Sequence, residues 1–231
     1  MGGGCTEPVA QCLEAPWHAP HLGTPRNDAL ARDANEADTR LLATEVLCEA
    51  LGYRRFEDLG TEYAVKDQYA DYGLRIENQL VAFVEVKRCA TKLSEKHLRQ
   101  VELYTVNEGV EWIILTNAVV WQLYHLEGGL PVALDLVLDV DLNSGVAPAA
   151  LALNLLPLCR EAVKRGVLDS LWRQMRATSP QSIAAALMAP AVLKAIRAEM
   201  HRKSGHLVAL DDVRGCRRRR YSAPTRVTEL L

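Results

Sequence analysis

Two carboxylates and a lysine, Asp71, Glu85 and Lys87, sit at the ends of two short apolar runs in YADYGLRIENQLVAFVEVKR, residues 69–88. Both runs alternate with period two and carry β-branched and aromatic residues, so the spacing predicts an antiparallel hairpin. With Glu77-Asn78-Gln79 as the loop, Ile76 faces Leu80, Leu74 faces Ala82, Tyr72 faces Val84 and Asp71 faces Glu85. Directly opposed residues share a face. Tyr72, Leu74, Ile76, Leu80, Ala82, Val84 and Val86 would then form one apolar face, and Asp71, Glu85 and Lys87 would meet on the other. A two-residue loop would place Asp71 opposite Val86 and divide the trio. Because a one-residue slip flips every side chain, the apolar face selects the three-residue loop.

Close carboxylates repel unless a cation lies between them. Mg²⁺ is the natural candidate and Mn²⁺ an alternative, since both take oxygen ligands and Mg²⁺ is commonly held by one or two carboxylates. Such an ion polarises a phosphodiester and supplies hydroxide, while a lysine two residues past a ligand reaches the same place. As a bare pattern the trio fits a solvated strand end with a surface ion pair better than a metal site.

Further residues narrow the choice. Asp71 followed by Glu85-Val86-Lys87 resembles the PD-(D/E)xK nuclease signature, with Ala70 where the family often has proline. Gln100-Val101-Glu102-Leu103-Tyr104 resembles the Gln-x-x-x-Tyr motif of the RecB-like branch. From Asn35–Tyr53 through Glu111–Leu126 the chain is similar to the N-terminal endonuclease domain of type I restriction enzyme restriction subunits. The resemblance covers roughly residues 35–140. It implies an α/β fold with a restriction-endonuclease-like mixed central sheet flanked by helices, and Mg²⁺-dependent cleavage of DNA. It assigns metal binding to Asp71, Glu85 and the Val86 carbonyl, water activation or orientation to Lys87, and support to Gln100 and Tyr104. A first-helix acid is implied as well. The Asn-Glu-x-x-x-Arg start selects Glu36, with Glu45 and Glu49 as alternatives.

The elements that must position these groups follow from the pattern. Asn35 or Asp33 can cap a helix whose apolar stripe is Leu41, Leu42, Val46, Leu47 and Leu51, ended by Gly52. Tyr63–Val65 reads as an edge strand. Ser94 can cap a helix running to about Asn107, on which His97, Gln100 and Tyr104 share a face. Trp112–Leu115 reads as a buried strand, residues 120–125 as the next, and Pro131–Val137 as the strand closing the sheet. His125 reads as structural, and Asp135, Asp139 and Asp141 as a solvated face. From Pro148 the apolar spacing turns helical, and Ser179-Pro180 is a helix start. The expected organisation is a mobile leader over 1–33, a nuclease-like domain over 34–145, a helical appendage over 146–214 and a basic tail over 215–231.

The net charge of −2 is unevenly spread: residues 160–231 carry fifteen Lys or Arg against six acids, a balance of +9, which leaves −11 for residues 1–159. An acidic core joined to a basic region suits a polyanionic partner such as DNA. Arg217, Arg218, Arg219 and Arg220 are the candidate phosphate contacts. The six cysteines have neither CxxC nor zinc-finger spacing, which points to a reducing, cytoplasmic setting without structural zinc. No stretch reads as a signal peptide or membrane span. A phosphate loop is also absent, so the chain would act alone or with separately encoded motor or specificity proteins. A catalytically silent nucleic-acid- or partner-binding module that keeps the same fold is the competing expectation.

Overall fold

The computed structural model of the 231-residue chain describes residues 34–65, 68–128 and 133–215, without the side chains of 62–69, 100, 103, 104, 214 and 215. Helix α1 (Glu36–Glu45) starts at Asn35, whose side chain accepts a hydrogen bond from the Asp38 N–H at 2.9 Å. It continues as a π-helical turn over Val46–Ala50, and Gly52 follows with φ 78°. Strands β1 (Leu59–Val65), β2 (Gln68–Ile76) and β3 (Gln79–Val86) come next. A 3₁₀ turn over Glu95–His97 then leads into α2 (Arg99–Glu108). Strands β4 (Trp112–Thr116), β5 (Val120–Glu127) and β6 (Ala133–Asp141) complete a six-stranded sheet of order β1-β2-β3-β4-β5-β6. Among the described strands only β3 and β4 pair in parallel, joined through α2. The architecture is mixed α/β, a mixed sheet flanked by helices.

The hairpin that carries the candidate residues departs from the expected register at its tip and returns to it further in. Its turn holds two residues, Glu77 and Asn78, with φ of 52° and 68°, the double positive φ of a type I′ hairpin turn. Ile76 therefore pairs with Gln79 and Arg75 with Leu80. A bulge at Val81 then inserts one residue, so that Leu74 pairs with Ala82 and Tyr72 with Val84. The bulge also exchanges two side chains between faces. Val81 packs on the side of Tyr72, Leu74, Ile76, Ala82, Val84 and Val86, while Leu80 packs on the opposite side with Phe83. The expected apolar face thus loses Leu80 and gains Val81.

Each sheet face has its own core. One is covered by α1 and its π turn together with later helices, through Leu47, Leu51, Leu155, Leu158 and Leu168. The other lies under α2, through Leu98 and Val101 against Phe83, Ile113 and Leu115. The helices α3 (Pro148–Leu155), α4 (Arg160–Lys164) and the start of α5 (Val167–Ala177) therefore belong with the sheet. The first part of the helical region expected over 146–214 is thus packed on the sheet. Apolar spacing shows that a helix buries one face, but not which layer it buries that face against. The chain divides into one compact unit ending at Trp172 and a second beginning at Arg173. The second contains α6 (Pro180–Leu187), capped by the Ser179 hydroxyl, α7 (Pro190–Ser204) and α8 (Leu210–Gly215). The buried stripe expected on α1 loses Leu41, which is exposed, and two elements shift at their ends: β6 runs on to Asp141, and the α2 segment opens as a 3₁₀ turn in which His97 Nδ1 accepts from the Ser94 N–H at 3.1 Å. That bond takes the His97 ring into a cap. Among the described residues, no helix is long and apolar enough to cross a membrane.

Candidate active site

The candidate cluster lies where β2 parts from β3, at the carboxyl end of the β3–β4 parallel pair. Such ends are where open α/β sheets place ligands. The β2–β3 pairing runs as far as Tyr72–Val84. Beyond it the Val86 N–H donates to Asp71 Oδ2 at 2.8 Å, so a side-chain carboxylate stands in for a ladder carbonyl. Across β3, Glu85 and Val86 pair with Leu115 and Thr116, and the Lys87 N–H donates to the Thr116 carbonyl at 2.8 Å. Glu85 follows Phe83 on the face that α2 covers, by strand alternation.

Lys87 Nζ lies 2.5 Å from Glu85 Oε1, and Arg40 Nε lies 3.2 Å from Asp71 Oδ1. Glu85 is 8% exposed. Burial pushes its carboxyl above the usual carboxylate value. The Lys87 hydrogen bond pulls only part of the way back, and the charges of Asp71 and Glu36 add to the rise. For Lys87, burial by itself lowers the ammonium. The hydrogen bond and charge of Glu85, together with the charges of Glu36 and Asp71, outweigh it and hold the group above its usual value. The structure thus brings Asp71, Glu85, Lys87 and Glu36 into one electrostatic neighbourhood with Val86 between them. Of the alternative helix acids, Glu49 acts electrostatically on Cys48.

Two sets of expected residues are not placed. Gln100 and Tyr104 are on α2, and their side chains lie outside the described residues, as do Arg217, Arg218, Arg219 and Arg220. The residue missed from sequence is Arg40. Its spacing from Glu36 is i, i+4, which places both on one helix face, and the same Asn-Glu-x-x-x-Arg segment carries both. Thr39 and Asn117 also matter, because they pin the chain leaving Lys87: Thr39 Oγ1 accepts from the Cys89 N–H at 3.1 Å, and Asn117 Nδ2 donates to the Cys89 carbonyl at 3.2 Å.

The donor set is all oxygen, carboxylates plus a peptide carbonyl, and it fits Mg²⁺ or Mn²⁺ in kind. The raised Glu85 pKa marks a spot where negative charge is under-compensated, which a cation would relieve. The charges are also mutually engaged: Asp71 by Val86 and Arg40, Glu85 by Lys87. Among the described residues no group of three or more His, Cys, Asp or Glu is assembled closely enough to hold a metal ion. Comparison with protein-family models, with curated proteins and with solved structures finds no match.

Proposed function

We propose that this chain is a metal-dependent deoxyribonuclease, a restriction-endonuclease-like domain of the type I restriction kind that hydrolyses phosphodiester bonds in DNA. The observation that carries the proposal is the convergence of the buried Glu85 carboxylate, the Lys87 ammonium and the Asp71 carboxylate at the end of a parallel strand pair. Asp71, Glu85 and the Val86 carbonyl would hold Mg²⁺ or Mn²⁺, with Glu36 the nearby helix acid. The ion would supply Lewis-acid polarisation of the phosphate and a hydroxide nucleophile at neutral pH. Lys87 keeps its proton at neutral pH, so it donates rather than accepts. It can orient a water molecule or neutralise charge on the phosphate, and Glu85 fixes its position. Arg40 holds Asp71 from the helix side and offers a second cation to the substrate. Gln100 and Tyr104 would support the site from α2.

A second reading has its own observation. Asp71 and Glu85 are both engaged by cations of the protein itself, as in a binding module that keeps the fold without turnover. Cleavage of supercoiled, linear and single-stranded DNA by wild type, Asp71→Ala and Lys87→Ala separates the two. The nuclease reading expects both variants to lose about 10²–10⁴-fold in rate. Wild type and variants that are equally inert yet still bind DNA would leave the binding module.

A further inference from the structure

A cleft of about 720 Å³ opens between α1 and the strands β1 and β2, a size within the usual range for ligand sites. Arg40 and Leu41 line it from α1, Arg55 and Phe56 from the loop before β1, and Tyr72 from β2. Three features give it a chemical character. The charged side chains among the described residues lining it are Arg40 and Arg55, both cationic. Phe56 is 94% exposed and Leu41 67% exposed, so apolar surface stands open at the mouth. Arg40 belongs to the cleft and to the catalytic cluster at once, since its Nε lies 3.2 Å from Asp71 Oδ1.

Isolated apolar side chains on a surface are ordinary. An exposed phenyl ring lining the same cleft as two guanidinium groups is a more specific arrangement, because it matches what an unpaired nucleotide offers, a base to stack and phosphates to pair. A duplex keeps its bases stacked inside and presents only backbone and groove edges, so Phe56 could not stack on it. Leu41, expected in the buried stripe of α1, instead faces this opening, which is consistent with a surface shaped for a ligand.

We propose that the cleft binds a single-stranded stretch of DNA, with Phe56 stacked on an unpaired base and Arg40 and Arg55 on flanking phosphates, and leads the strand to Asp71, Glu85 and Lys87. This deepens the nuclease proposal and rests on it for the fate of the strand, though not for its binding. The substrate class it names is DNA with a free or melted single strand.

The test is fluorescence anisotropy in chelator, so that no cleavage enters, with a labelled oligothymidylate of about twelve nucleotides and a duplex of equal length. Phe56→Ala should weaken single-strand binding by roughly 5- to 150-fold, the range that base–aromatic stacking supports. Phe56→Trp should restore it and Phe56→Leu should not. Arg55→Gln should reduce the slope of log affinity against log salt by about 0.7, as one phosphate would no longer be neutralised. Because Phe56 is so exposed, thermal melting should be unchanged in all three Phe56 variants. Equal single-strand affinity in wild type and Phe56→Ala would overturn the proposal. So would full binding by Phe56→Leu, which would mark a merely apolar seat, or equal binding of duplex through the same residues. Loss of binding in Phe56→Ala with no cleavage by any variant would sink the nuclease proposal alone. Cleavage that depends on Asp71 with binding indifferent to Phe56 would sink this one alone.

Discussion

Two buried carboxylates in the first unit meet cations on opposite terms. Asp58 is 1% exposed and saturated: its oxygens accept from the Arg54 N–H at 2.8 Å, from Arg54 Nε at 3.1 Å and from Arg160 Nε at 2.7 Å. Glu85 is nearly as buried, yet among the described residues its cationic partner is Lys87, with the charges of Asp71 and Glu36 close by. Burial alone would raise both carboxyls. At Asp58 the hydrogen bonds from Arg54 and Arg160 overwhelm that effect and hold the group far below the usual range, whereas at Glu85 the rise survives. A carboxylate that the fold has neutralised is a fastener. One left short of positive charge, among other carboxylates, is where a functional site is to be sought.

The largest expected difference between the two is in turnover. Glu85→Gln should lower DNA cleavage by about 10²–10⁴-fold, with Asp58→Asn leaving the rate per folded molecule within a few-fold of wild type. Active-site titration of folded protein alongside rate measurement checks it. Cleavage by Glu85→Gln at the wild-type rate would erase the contrast.

In stability the order should reverse. Asp58→Asn strips the Arg54 and Arg160 guanidinium groups of their charged partner and should cost about 3–5 kcal/mol, as breaking a buried pair typically does. Glu85→Gln removes a carboxylate that burial already disfavours, while Lys87 keeps the field of Glu36 and Asp71, so its cost should stay within about 1 kcal/mol. Urea unfolding at neutral pH measures both. Equal losses would mean that Glu85 is as much a fastener as Asp58.

These contrasts also show what the sequence could disclose. The proximity of Asp71 to the Glu85-Val86-Lys87 segment was legible because both belong to one hairpin: the Val86 N–H donates to Asp71 Oδ2, and Lys87 pairs with Glu85. The tip was not, because Leu80, Val81 and Ala82 are all apolar. A three-residue loop and a two-residue turn followed by a bulge write the same string, and the positive φ of Glu77 and Asn78 leaves no strong trace there. Arg160 meets Asp58 from 102 residues away, a distance at which no spacing rule operates. For α3 and α4 the apolar faces were visible, but not which face of the sheet they cover. Arg40 was within reach, through its i, i+4 relation to Glu36, but an arginine on an amphipathic helix looks like any solvated residue until the strand that meets it is placed.

Metal should separate the two carboxylates next. At one hundred times its dissociation constant an ion that binds only the folded state adds about 2.7 kcal/mol, a rise in melting temperature of roughly 5–10 °C for a chain of this size. Calorimetry with and without Mg²⁺ or Mn²⁺ should show that rise in wild type and lose it in Glu85→Gln. Superimposable curves in chelator and in saturating metal would remove the cation from the site.

The smallest and most discriminating contrast is in pH. Asp58 has a folded pKa below its ordinary value of 3.8, so its contribution is fully present above that value and is lost as pH falls toward the folded pKa. Glu85 has a folded pKa above its ordinary value of 4.5, so the folded state holds its proton more tightly than the unfolded chain does. Its contribution is fully present below 4.5 and is lost as pH rises through the folded pKa. Urea titrations between about pH 3 and pH 7 should therefore bend in opposite directions when each group is removed. Relative to wild type, Asp58→Asn should lose least at the acid end, where the carboxylate it replaces is already being protonated. Glu85→Gln should compare best at the neutral end, where the carboxylate it replaces is ionised at a cost. If both differences drift the same way with pH, the Glu85 carboxylate is compensated like Asp58, and the electrostatic reason for placing a cation beside it disappears.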